Sequence, residues 1–139
     1  MALTVSKFDR SLGYIMAVET DSTNSMNTDV FSGDGKLYSV DIDNSSGSNI
    51  CYLKLYLTSD GPSLGSGSPD IILRCPAEAR QSWSIPEGLS FSTCSFASTL
   101  NPASTDQTAT AGTLAVRLVA STEAIAQKTY SPLIAITTD

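Results

Sequence analysis

No histidine occurs anywhere in the 139 residues, so the groups able to do chemistry are carboxylates, lysines, thiols, hydroxyls and aromatic rings. That removes Ser-His-Asp and Cys-His catalysis, histidine-ligated zinc and histidine pH switching. The acids are Glu19, Glu78, Glu87, Glu123 and ten aspartates. Sugar hydrolysis needs two carboxylates about 5 to 10 Å apart in a cleft, and no spacing in this chain selects such a pair. Glu87 lies between Pro86 and Gly88, in a turn that those two residues define. Asp41-x-Asp43-Asn44-x-x-Gly47 is similar to the opening of a calcium loop. Its Gly is displaced by one position, and Tyr52 stands where a bidentate Glu belongs, so it reads as a solvated strand end. Gly33-Asp34-Gly35-Lys36 lacks the spacing and the following helix of a phosphate-binding loop and reads as a turn. Asp21-Ser22-Thr23 lacks the Gly of an aspartic-protease motif. Lys7, Lys36, Lys54 and Lys128 sit in ordinary surface contexts and mark out no Ser-Lys dyad. The expectation is a non-enzymatic protein with no catalytic residue, metal or cofactor.

Cys51, Cys75 and Cys94 are 24 and 19 residues apart and form no CxxC pair. An odd number of well-spaced thiols reads as buried, reduced cysteines in strands. Trp83, Tyr52 and Tyr56 are the aromatic candidates for a carbohydrate platform. Tyr52 and Tyr56 share a strand face but stand about 13 Å apart at strand rise. The simpler assignment is core for Trp83 and interface or surface for the tyrosines.

The elements that position these groups are β-like. Turn clusters occur at 32–35, 43–49, 59–70, 86–88, 101–112 and 131–132, with β-branched and aromatic runs between them. Lys36–Asp43 alternates, with Tyr38, Val40 and Ile42 as its expected core face. Ile50–Thr58 places Cys51, Leu53, Leu55 and Leu57 on one face. Tyr52, Lys54 and Tyr56 fall on the opposite, exposed or partner-facing side. These two strands flank a polar seven-residue turn and are expected to form a hairpin. Pro69–Pro76 reads as a short buried strand, and Gln81–Ile85 as another. In Gly88–Phe96 the face assignment flips near Thr93 and Cys94, which a bulge would produce. Gly112–Ala120 is the clearest strand, with Leu114, Val116, Leu118 and Ala120 inward and Arg117 outward. Helix signals are confined to one turn at Ala77–Ser82 and two at Ser121–Lys128, with Ser121 as N-cap. The pattern predicts an all-β fold, an antiparallel β-sandwich or jelly-roll-like domain. Its expected extent is 30–121. Residues 1–29 are then an N-terminal arm, and 122–139 a C-terminal arm or edge strand.

Charge narrows the partners. The formal net charge is −6, from 8 basic and 14 acidic residues. Nucleic acid is an unfavourable partner, because phosphate neutralisation needs clustered Lys and Arg. No basic segment precedes an apolar run at the N-terminus, so no secretory signal is expected and synthesis is expected in a cytoplasm. The apolar runs are about four residues long, against the roughly 20 that cross a bilayer, so no membrane contact is expected. Serine and threonine together number 37, while charged residues are 16% of the chain. Such sheets can pack by backbone and hydroxyl hydrogen bonds without immobilising long charged side chains, which suits a permanent assembly.

The central stretch resembles small virion proteins of tailed bacteriophages. The resemblance rests on Ser68-Pro69-Asp70-Ile71-Ile72-Leu73-Arg74-Cys75-Pro76-Ala77-Glu78-Ala79-Arg80, then Ser84-Ile85-Pro86-Glu87-Gly88-Leu89-Ser90-Phe91-Ser92, then Gly112-Thr113-Leu114-Ala115-Val116-Arg117-Leu118-Val119. This order of strand, Pro-rich corner, Pro-x-Gly turn, strand, polar loop and closing strand is similar to capsid decoration or cement modules. The resemblance implies a β-sandwich, a homo-oligomer (often a trimer) and attachment to the major capsid protein or another virion protein. It implies a place on the capsid surface. With the apolar residues that the central strands do not need, it makes Phe8, Tyr14, Tyr52, Tyr56, Tyr130 and Ile134 the expected contact residues. The alternative is a carbohydrate- or receptor-binding β-module of a phage tail or head fibre, with its ligand at loops 59–70 and 101–111.

Overall fold

The computed structural model describes residues 3–7, 14–110 and 112–122. They contain eight strands and no helix: β1 (Leu3–Lys7), β2 (Ile15–Glu19), β3 (Gly35–Asp43), β4 (Cys51–Tyr56), β5 (Ile71–Cys75), β6 (Arg80–Phe91), β7 (Ser95–Thr99) and β8 (Ala115–Thr122). Two antiparallel sheets form, one ordered β1-β2-β8-β3-β6 and the other β5-β4-β7. The fold is all-β and sandwich-like, as the alternation predicts. Leu37, Val40 and Ile42 of β3, Val116, Leu118 and Ala120 of β8, and Ile15 and Ala17 of β2 face Cys51, Leu53, Leu55, Cys75 and Phe96 of the smaller sheet. Burying each large aliphatic side chain contributes about 1.5–3 kcal/mol.

The expected hairpin between 36–43 and 50–58 does not form. β3 pairs with β6 and β8, whereas β4 pairs with β5 and β7. The seven-residue turn instead carries the chain from one sheet to the other. Alternation fixes which face a residue takes, not which strand it pairs with. The inward face of β3 also changes partway, because the register shifts between Leu37 and Ser39. Tyr38 is an extra residue opposite β8, so Leu37 enters the core in its place and Tyr38 is half-buried. The two expected strands 81–85 and 88–96 are replaced by one long edge strand, β6, and by β7. β6 accommodates Pro86 because residues 85–88 leave the β3 register, which resumes at Ser84 and Leu89, so no ladder donor is needed there. Gly88 adopts φ +78° against Lys36 and Tyr38, where a Cβ would collide with both side chains. β5 is an edge strand rather than a buried one, with Ile72 and Arg74 exposed.

The expected N-terminal arm is also corrected. β2 is an interior strand of the larger sheet, between β1 and β8. Residues 22–30 then run beside β7, where Asn27 and Phe96 exchange backbone hydrogen bonds at 2.8 and 2.9 Å. Polarity in that stretch serves packing: Ser22 Oγ meets Ser98 Oγ at 2.6 Å, and Asn27 Nδ2 donates to the buried Glu19 carboxylate at 3.2 Å. The turn at 77–79 leads into β6 without a helix. The expected two-turn helix falls at 121–128, where Ser121 and Thr122 belong to β8 and the rest lies outside the described residues.

Candidate functional site

Alternation places Tyr52, Lys54 and Tyr56 on the outer face of the smaller sheet, as expected, but over β4 that face is largely covered. Lys54 and Tyr56 are fully buried. Loop 100–108 lies over Lys54, whose Nζ donates to the carbonyls of Ala103 at 2.6 Å and Asp106 at 2.9 Å. Burial lowers the Lys54 pKa from its ordinary value, with the Asp106 charge opposing the shift. Asp106 in turn closes the loop on itself, accepting from the Asn101 and Thr108 amides, Asn101 Nδ2 and Thr108 Oγ1. Loop 59–70 covers Tyr56, with Gly67 against its ring. The two loops meet where Gly65 (φ +90°) leaves no room for a Cβ beside the Gln107 side chain. They form a third layer, and Tyr52 emerges from its margin half-buried.

Tyr52 there lies in an open groove of about 480 Å³. Leu100, Asn101 and Pro102 form one wall, and Asn49 and Ile50 with neighbouring turn residues form the other. Both walls are fixed from beneath by buried polar groups. Lys54 holds the first. Asn44, 2% exposed, holds the second: its Nδ2 donates to the carbonyls of Asn49 at 2.8 Å and Pro76 at 2.9 Å.

A second open surface lies at β1. Leu3 pairs with Glu19 and Val5 with Ala17, so Leu3 and Val5 share the core-facing side of the larger sheet. Five strands overhang three, and these two side chains stay 38% and 45% exposed. Among the described residues, nothing pairs with the outer edge of β1.

Charged groups gather elsewhere, on the outer face of the larger sheet. Arg80 contacts Asp41 at 3.1 Å and Asp43 at 3.9 Å. The Ser82 hydroxyl, with help from Arg80 and Arg117 and against partial burial, holds Asp41 below the usual carboxylate range. Hydrogen bonds from Ser45, with Arg80 adding to them, do the same for Asp43. Both acids therefore serve as ion-pair partners at a strand end. Among the described residues, no three His, Cys, Asp or Glu side chains group closely enough to hold a metal ion.

The three thiols are free and buried. Cys51 and Cys75 are directly opposed across β4 and β5. Burial pushes Cys51 and Cys94 up to about 12, and raises Cys75 as well.

Of the expected contact residues, the three that are described, Tyr14, Tyr52 and Tyr56, do not converge. Tyr14 is 37% exposed and packs edge-on against Tyr38, with ring centroids 5.3 Å apart. Tyr52 lines the groove and Tyr56 is interior, which corrects its assignment to a contact face. Phe8, Tyr130 and Ile134 lie outside the described residues. The three-ring platform is not assembled: Trp83 packs on the core from β6, in the other sheet. Leu3, Val5 and Asn101 were missed as candidates, although the alternation of Leu3-Thr4-Val5 was visible. No protein family, curated protein or solved structure matches this chain.

Proposed function

We propose that this chain is a non-enzymatic virion structural protein that decorates or cements a phage capsid lattice by oligomeric binding to the major capsid protein, with a homotrimer as its unit. The carrying observation is β1, whose Leu3 and Val5 are turned to the core side of the larger sheet yet left uncovered at an open edge. An edge strand with exposed apolar side chains is a template for strand addition by another chain. Backbone hydrogen bonds supply the pairing, and covering the two side chains adds apolar burial. Three copies binding at once would raise a modest single-site affinity by avidity. A jelly-roll-like sandwich on the particle surface is the finer form of this reading.

The test is binding of the purified protein to undecorated capsids of the phage that encodes it. Deleting 1–18 is a poor probe, because β2 is an interior strand. Val5→Asp keeps the strand pairing with β2 and places a charge on the uncovered surface. The expected result is loss of capsid binding with an unchanged circular dichroism spectrum. Unchanged binding by the folded variant overturns the β1 reading, and a monomeric mass in solution and on the capsid overturns the trimer.

A further inference from the structure

We propose that the groove at Tyr52 is a binding site for a neutral saccharide. This goes beyond the assembly role and does not rest on it, since the groove and β1 belong to different sheets and share no residue.

The lining chemistry selects the ligand class. None of the lining side chains is charged. Asn49 and Asn101 bring amides, Tyr52 a ring with a phenol, and Ile50, Leu100 and Pro102 apolar surface. A sugar ring presents the matching combination, with C–H faces for the aromatic and aliphatic groups and hydroxyls for the amides. No cation lines the groove itself, and the exposed Arg74, opposite Tyr52 on β5, stands at its margin. A phosphate or sulfate would therefore meet a single outlying cation, while a purely apolar ligand would desolvate the amides without replacing their hydrogen bonds. At about 480 Å³ the groove is large enough for a small ligand, within the general range of about 300–1,000 Å³.

The groove is also fixed before any ligand arrives. Its two walls come from segments about fifty residues apart, and each is pinned by a buried side chain donating twice to backbone carbonyls: Asn44 on one side, Lys54 on the other. Loop 100–108 is further closed by Asp106. Binding then costs little loop ordering, which favours recognition of a flexible, strongly hydrated ligand. Asn101 Nδ2 already donates to Asp106 at 3.2 Å, which orients its amide oxygen as the free acceptor for a sugar hydroxyl.

The experiment is a heteronuclear NMR titration of the full chain with maltoheptaose, tetra-N-acetylchitotetraose and a β-1,4-galactan fragment. The expected result is saturable shifts centred on Ile50, Tyr52, Leu100 and Asn101 with at least one of the three. Tyr52→Ala should weaken that binding about tenfold by removing the ring stack. Asn49→Ala, on an exposed turn, should weaken it severalfold and leaves β4 untouched if Tyr52→Ala does not fold. Absence of shifts with all three sugars overturns the proposal. So does saturable binding centred elsewhere, or binding that Asn49→Ala and a folded Tyr52→Ala leave unchanged.

Discussion

Lys54→Met is the most informative single change, because it removes an ammonium and keeps nearly all of its buried stem. Lys54 is fully buried, and its Nζ donates to two carbonyls of loop 100–108 at 2.6 and 2.9 Å. A hydrogen bond to a charged group contributes about 1.5–3 kcal/mol net, so the pair has a gross value of about 3–6 kcal/mol. Two effects reduce that figure. Ala103 is exposed and Asp106 half-buried, so their carbonyls can regain water in the variant. The variant also escapes the desolvation that depresses the lysine's pKa. We expect a net loss of about 2 kcal/mol, or a fall in Tm of about 8 °C for a chain of this size. Urea unfolding followed at Trp83, in the other sheet, reads the global loss. Amide exchange at Leu100, which donates to Thr108 across the loop, reads the local one. The pH dependence has a definite sign. A folded pKa below the usual 10.5 means that the unfolded chain holds the proton more tightly, so this group's contribution grows as pH rises through the window under 10.5. The gap between wild type and Lys54→Met should widen there. A variant within about 0.5 kcal/mol of wild type, with unchanged Leu100 exchange, would refute the anchor.

Tyr56 is fully buried, and among the described residues its hydroxyl finds no hydrogen-bond partner, so Tyr56→Phe should leave stability unchanged or raise it by about 1 kcal/mol in urea unfolding. Asp41 titrates below its ordinary value of 3.8 because it accepts from Ser82 and pairs with Arg80. Its stabilisation is therefore present above 3.8 and lost as pH falls through the lowered value, and Asp41→Asn should flatten the acid limb of a stability-against-pH curve. With Cys51 and Cys94 pushed up to about 12 and all three thiols buried, the native protein at mildly alkaline pH should be inert to Ellman's reagent, and three thiols should react after denaturation.

The strands were legible where alternation was clean. Val116, Leu118 and Ala120 point inward and Arg117 outward, and Cys51, Leu53, Leu55 and Leu57 line one face, because a two-residue period and apolar burial suffice to place them. Strand partners were not legible, since any turn of seven polar residues can close a hairpin or cross between sheets. Tyr38 shows a second limit: one bulged residue exchanges its place with Leu37 while leaving the composition of the segment unchanged. Residues 20–29 looked like an arm because their side chains are polar. Their role depends on partners such as Ser98 and Phe96, some seventy residues away, which no local pattern can reveal. The groove is non-local in the same way. Its one local trace is Lys54, a charge in the middle of a strand otherwise made of Cys, Leu and Tyr.

That trace marks where loops cover the outer face of β4. Covering a strand's outer face with loops is costly when the loops carry charges, because each must be desolvated or paired. Loops 59–70 and 100–110 are built mainly from Ser, Thr, Gly, Pro, Ala and Asn, with few charges, and their hydroxyls and amides can satisfy one another. They can therefore lie on Tyr56 and Lys54, and the buried Lys54 ammonium is satisfied by carbonyls that loop 100–108 would otherwise leave to solvent. The layer stops at Tyr52, beside the wall at 100–102, and among the described residues nothing equivalent extends over β1. The abundance of hydroxyl residues thus has a structural effect beyond solubility: it lets two loops cover the outer face of β4 at Lys54 and Tyr56, with a neutral groove left at Tyr52.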